Sequence, residues 1–172
     1  MAAGSLFELG KQASVSTLSE SLTHLNRRGH AATAMMTTTR LENWLKEAIV
    51  RLFTNSPRRL QDKLFEFKGP LGTFSAKIDM AYAVGAISQD AHRTLHILRD
   101  IRNAFAHATD EMDFEDGAMD KHFAKLAEAG TRELAFLEAA VSVIQSIKEK
   151  MEPIFLADAL QKYAQKSREK SR

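Results

Sequence analysis

The chain has 172 residues, 44% of them hydrophobic and 27% charged, a balance that can bury a real core and excludes the disordered class. It contains no cysteine, which removes disulfides, thiolate metal ligands and cysteine nucleophiles, and its net charge of +2 is too small to announce a nucleic-acid binder. No basic region followed by an apolar run opens the sequence, and no apolar stretch approaches the ~20 residues that span a bilayer, so a cytoplasmic protein with no membrane contact is expected.

In chain order, Leu18, Leu22 and Leu25 mark one face of a first helix that is predicted to end near Arg28 at Gly29. From about Ala31 to Asn55 a longer helix places Leu41, Trp44, Leu45, Ala48, Ile49, Leu52 and Phe53 on one broad face. Ser56 and Pro57 read as cap and first helical residue of a short helix through Leu60, Leu64 and Phe67. Gly69, Pro70 and Gly72 then break the pattern, Thr73 can cap a new helix, and Gly85 suits its C-terminal end. Ser88, Gln89 and Asp90 start the helix around which the rest is organised. Thr94, Leu98, Ile101 and Phe105 form its apolar stripe, with Ala91 beside it and Ile97 and Ala104 widening it. The opposite side carries His92, His96, Arg99, Asn103 and His107, while Arg102 sits at the margin next to Leu95.

After His107 the acidic residues Asp110, Glu111, Asp113, Glu115, Asp116 and Asp120 have no compensating base, and this segment is predicted to loop around the outside. Met119, Phe123 and Leu126 mark a short helix ending near Gly130, and Thr131 can cap its successor. There Leu134, Leu137, Val141, Ile144 and Lys148 step by three and four, flanked by Ala140, Val143 and Ile147, until Pro153 interrupts the helix. A terminal helix through Leu156, Ala159, Leu160 and Tyr163 runs into a basic tail with Lys162, Lys166, Arg168, Lys170 and Arg172 against Glu169 alone. No strand candidate appears and no linker is visible. The expectation is therefore an all-α, single-domain multi-helix bundle over residues 1–172 with a central buried helix, its residues 161–172 a basic, partly disordered tail.

Two stretches carry resemblances. The run Gly69-Pro70-Leu71-Gly72-Thr73-Phe74-Ser75-Ala76-Lys77-Ile78, the Ala81 to Ile87 stretch and the ending Ile101-Arg102-Asn103-Ala104-Phe105-Ala106-His107 resemble the bacterial mannitol operon repressor family. That likeness implies an all-α transcriptional regulator that represses sugar-alcohol uptake genes; it supplies no DNA-reading motif and no catalytic set. Arg102, Asn103 and His107 also match the Arg-Asn-x-x-x-His pattern of the HEPN superfamily, whose members include metal-independent ribonucleases. Under that alternative, His107 is the general acid or base and Arg102 steadies the charged phosphate. Five residues on a helix leave Arg102 and His107 about 140° apart, so such a site needs an unwound helix end or a second copy. In the competing structural reading, Arg102 pairs an acidic residue and His107 caps carbonyls at the helix end.

His92, His96 and Asp100, spaced by four, put three metal-ligand types on one helical face, although no further ligand is assignable from sequence. Ala81, Gly85, Ile87 and Ser88 suggest a helix-turn-helix, but the apolar stripe on the following helix argues instead for a tight turn between two core helices. No phosphate loop, dinucleotide fingerprint, nucleophile elbow or zinc-protease motif is present, so no cofactor is expected. The functional expectation is a non-enzymatic repressor that works as a homodimer through a protein partner or through direct or indirect DNA contact. The alternatives are the ribonuclease or a helical interaction module without catalysis.

Overall fold

The computed structural model describes residues 3–53, 57–126 and 130–170. Asn55, Ser56, the Leu18 side chain, and the side chains of Ala159, Tyr163 and the basic tail lie outside the described residues. Helix α1 runs Ala3–Leu52, α2 Arg58–Phe65, α3 Phe74–Ala83, α4 Gln89–His107, α5 Asp120–Phe123 and α6 Arg132–Lys170, with a 3-10 turn at Gly117–Met119 leading into α5. No strand occurs among the described residues, as the lack of alternating β-branched residues predicts.

The central position of α4 follows from its stripe. Leu95, Leu98 and Ile101 are fully buried, with Ala91 and Phe105 close behind, and the helix packs against α1, α3 and α6. Leu95, not counted in the stripe read from sequence, lies inside the core, while Thr94, which was counted, is only partly buried. On α1 the core residues are Ala34, Leu41, Leu45, Ala48 and Ile49, joined by Thr38, whose hydroxyl is satisfied by the Ala34 carbonyl at 2.8 Å. This is the expected way for a buried hydroxyl to be tolerated.

Both predicted helix breaks are overruled. Gly29 lies inside α1 on an exposed face, where an added Cβ would meet nothing within 4 Å. A solvent-facing glycine weakens a helix by about 1 kcal/mol, which the core contacts further along α1 offset. Pro153 lies inside α6, and it and Glu149, whose carbonyl loses its helical partner, are exposed, so water can serve the freed group. The α6 backbone is accordingly helical through Lys170.

The buried stripe of α6 is Phe136, Ala140, Val143, Ile147 and Met151; Leu134 and Val141, from the stripe that sequence favoured, are 45% and 53% exposed. The helix has two adjacent apolar stripes, and the one that holds Phe136 is the one turned into the core, where it meets Phe114. The acidic segment also departs from expectation. Phe114 and Met119 are fully buried, so the segment is pinned to the core rather than looping outside it, and regular α-helix there is confined to Asp120–Phe123. Its carboxylates meet cations: Asp113 with Arg27 at 3.3 Å, Glu111 with Arg28 at 3.1 Å, and Asp120 with Arg132 at 2.6 Å.

The α3–α4 hairpin is built from local signals. The Thr73 hydroxyl accepts from the Ala76 amide and the Ser88 hydroxyl from the Ala91 amide, both at 3.2 Å, so both predicted caps are present. At the end of α3 the Ala86 amide bonds the Ala81 carbonyl at 2.8 Å and the Gly85 amide bonds the Tyr82 carbonyl at 3.0 Å, with Gly85 at φ 77°. This paired bonding with a left-handed residue at the turn is a Schellman C-cap. Before α3, a Cβ on Gly69 would sit 2.3 Å from the Lys63 carbonyl oxygen, and one on Gly72 2.4 Å from that of Glu66. No helix is long and apolar enough to cross a membrane among the described residues.

Candidate functional site

The hairpin concentrates polar side chains on its outward side. His92 and His96, four apart on α4, reach across to Asp79 on α3, which no sequence pattern had linked to them. Asp79 Oδ1 lies 2.9 Å from His92 Nε2 and 3.0 Å from His96 Nε2, and the two Nε2 atoms are 3.2 Å apart. The hydrogen bond from His92, then that from His96 and the charge of both rings, holds the Asp79 carboxyl below its ordinary range despite some desolvation. The Tyr82 ring lies 4.8 Å from that of His92 and covers one side.

Arg99 closes the network on α4. Its Nη1 donates to Ser75 Oγ at 2.7 Å and contacts His96 Nδ1 at 2.8 Å, while Nε and Nη2 donate to Asp100 Oδ1 at 3.1 and 2.7 Å. Asp100 is thus engaged by its chain neighbour, and of the three metal-ligand candidates read from sequence only His92 and His96 converge. Asp79 takes the third place because helix packing, not helix periodicity, brings it there.

The second candidate set sits at the far end of α4. Arg102 Nη1 donates to Asn103 Oδ1 at 3.0 Å, and both side chains are half-buried. His107, the last residue of α4, is exposed and has no hydrogen-bond partner among the described residues. Among the described residues neither feature of the structural reading appears: Arg102 has no acidic partner, and the His107 ring bonds no carbonyl. Arg102 and Asn103 are hydrogen-bonded to each other, and among the described residues neither is bonded to the His107 side chain.

A third polar cluster clasps α1 to the acidic segment. Glu111 is bonded to His24 and Arg28, and the His24 contact, followed by that of Arg28, holds its carboxyl below the ordinary range. Nearby, Arg27 Nη1 donates to the Glu111 carbonyl at 3.2 Å. On α5, burial and then the neighbouring Lys121 charge lower the His122 pKa. A groove of about 1010 Å³ between α1, α2 and α6 is lined by Lys46, Arg51 and Arg58 together with Glu47 and Asp62, so it presents no uniform positive field.

Comparison with known proteins adds three findings. A family model described as the mannitol repressor, MtlR, matches residues 18–142. A search of curated proteins gave no match. Among solved structures, one described as the X-ray structure of the MtlR-HPr complex from Escherichia coli aligns with a TM-score of 0.39 and 19% identity, covering 72% of this chain and 98% of that one.

Proposed function

Because this chain belongs to the mannitol repressor family, we propose that it represses sugar-alcohol uptake genes and does so through protein contacts rather than through a groove-reading helix. The observation that carries the mode of action is the engagement of the outward face of α4. In a helix-turn-helix the second helix presents free side chains to base edges, whereas here His92 and His96 are bonded to Asp79 and Arg99 to Ser75 and Asp100. The mixed signs lining the groove between α1, α2 and α6 support the same reading.

Loss of the gene is expected to raise transcription from a mannitol-uptake promoter fused to a reporter, and no change in the reporter overturns the regulator assignment. In a mobility-shift assay, purified protein is expected to bind that promoter weakly and to lose binding steeply as salt rises. Tight, salt-resistant binding to one short sequence overturns the protein-contact mode. In the same buffer a structured RNA is expected to stay intact with wild-type protein and with His107→Ala alike. Cleavage by the wild type that vanishes in an equally stable variant establishes the ribonuclease instead.

The protein acts as a homodimer in this proposal. Leu22, Leu25 and Met36 lie along one side of α1 at 64%, 65% and 69% exposure, more apolar surface than a solitary helix face usually leaves in water. Pairing through that face is expected to give a dimer in sedimentation velocity, and Leu25→Asp to give a monomer. A wild-type monomer at tens of micromolar, on the order of typical interface affinities, removes the dimer from the proposal.

A further inference from the structure

The Asp79, His92 and His96 triangle has a property that hydrogen bonding alone cannot satisfy. Three acceptor-capable atoms lie within 3.2 Å of one another. A guanidinium only donates, so the Arg99 contact makes His96 Nδ1 an acceptor and leaves the proton of the neutral ring on Nε2. That proton can point at Asp79 or His92. If His92 Nε2 is bare, it faces the Asp79 carboxylate lone pair; if it is protonated, it faces another N–H across the His–His edge. With both rings donating to Asp79, the His92–His96 edge sets two N–H groups against each other at 3.2 Å, whereas one cation placed against all three atoms satisfies every edge.

We propose that Asp79, His92 and His96 form a binding site for a divalent transition-metal ion of the zinc class. Two imidazoles and a carboxylate are a donor set zinc accepts, and Zn–N and Zn–O bonds of about 2.0–2.2 Å in tetrahedral geometry set ligand atoms about 3.3 Å apart. The observed separations of 2.9, 3.0 and 3.2 Å are close to that spacing before any adjustment. The rings are about one-quarter exposed and Asp79 59% exposed, so an ion can enter from solvent and keep a water in its fourth position. Ligands from both helices make the ion a clamp across the turn at Gly85, bracing α3 on α4.

Arg99 tunes the site. Metal at His96 Nε2 moves the ring proton to Nδ1, where it meets the Arg99 donor, so Arg99 must release that contact while retaining Ser75 and Asp100. A glutamine there can accept the Nδ1 proton, as the outer partners of metal-bound histidines ordinarily do. Arg99→Gln therefore strengthens binding, an outcome that nonspecific chelation by surface histidines does not produce.

Untagged full-length protein titrated with ZnCl2 in a calorimeter tests the site. One-to-one binding is expected, weakened by about tenfold or more in both His92→Gln and Asp79→Asn, as loss of a ligand or its orientation does at such centres. His24→Gln, which alters the histidine–carboxylate contact to Glu111, should leave it unchanged. Zinc should raise the melting temperature of the wild type and not of His92→Gln, and both conservative variants should keep the wild-type helical signal. No heat and no melting shift with the wild type at millimolar zinc overturns the site. So does one-to-one binding that persists unchanged in His92→Gln and Asp79→Asn.

Discussion

Phe114→Ala is expected to lower unfolding stability by about 3–5 kcal/mol, the range for truncating a fully enclosed phenylalanine. Phe114 belongs to no helix, yet it is fully buried, with the rings of His30, Phe105, Phe136 and Phe123 around it at centroid distances of 5.3, 4.9, 5.3 and 6.1 Å. Four elements, α1, α4, α5 and α6, thus meet on one side chain from the segment between α4 and α5. Its removal leaves a void that the helices cannot close without giving up contacts elsewhere, because each ring is also held in its own helix. The charged clasp depends on the same anchor: Glu111 and Asp113 meet Arg28 and Arg27 only while the segment is pinned. Urea unfolding of Phe114→Ala beside Phe114→Leu, which keeps more volume and should cost less, measures the effect. A midpoint for Phe114→Ala equal to wild type shows the ring contributes nothing.

A second large loss is expected from Glu42→Ala, about 3 kcal/mol, because it strands a buried ammonium. Lys77 is 6% exposed at its side chain, and its Nζ donates to Glu42 Oε1 at 2.6 Å and to the Gly72 carbonyl at 3.3 Å. These bonds tie α1, α3 and the turn before α3 together. The glutamate is a quarter exposed, which keeps the cost at the lower end for buried pairs. Lys77→Met removes the charge and keeps the apolar stem, so it should cost less than Glu42→Ala. The pair Glu42→Ala with Lys77→Met should recover much of the loss, since nothing charged is then left without a partner. Thermal melts of the three variants decide it: additive losses in the double variant show the two side chains act independently.

What could be read from the sequence was mostly what is local. The caps at Thr73 and Ser88, the turn at Gly85 and the stripe of α4, apart from the exchange of Thr94 for Leu95, rest on spacing within a dozen residues and are present in the fold. The breaks assigned to Gly29 and Pro153 were misplaced because both residues face solvent, where a helix tolerates a missing side chain or a missing amide donor. The choice between the two stripes of α6 was invisible without its neighbours: Phe136 wins because Phe114 is there to meet it. The polar site divides the same way. The four-residue spacing of His92 and His96 is visible in the chain, but Asp79 is thirteen residues before His92 and joins them only through the packing of α3 on α4. The Glu42 to Lys77 bond, thirty-five residues apart, had no local trace at all.

The glycines around this hairpin exclude other residues for two different reasons, and that difference sets what relatives can carry. At positions 69 and 72 the space is occupied by backbone carbonyls, so no residue with a Cβ fits unless the turn itself moves. At position 85 the space is open and only the handedness of the backbone is at issue. Asparagine and aspartate visit that left-handed region far more readily than branched or bulky residues. Divergence in this family is therefore expected to admit Asn or Asp at 85 while holding 69 and 72 to glycine, a pattern of substitution dictated by chirality at one site and by volume at the other two.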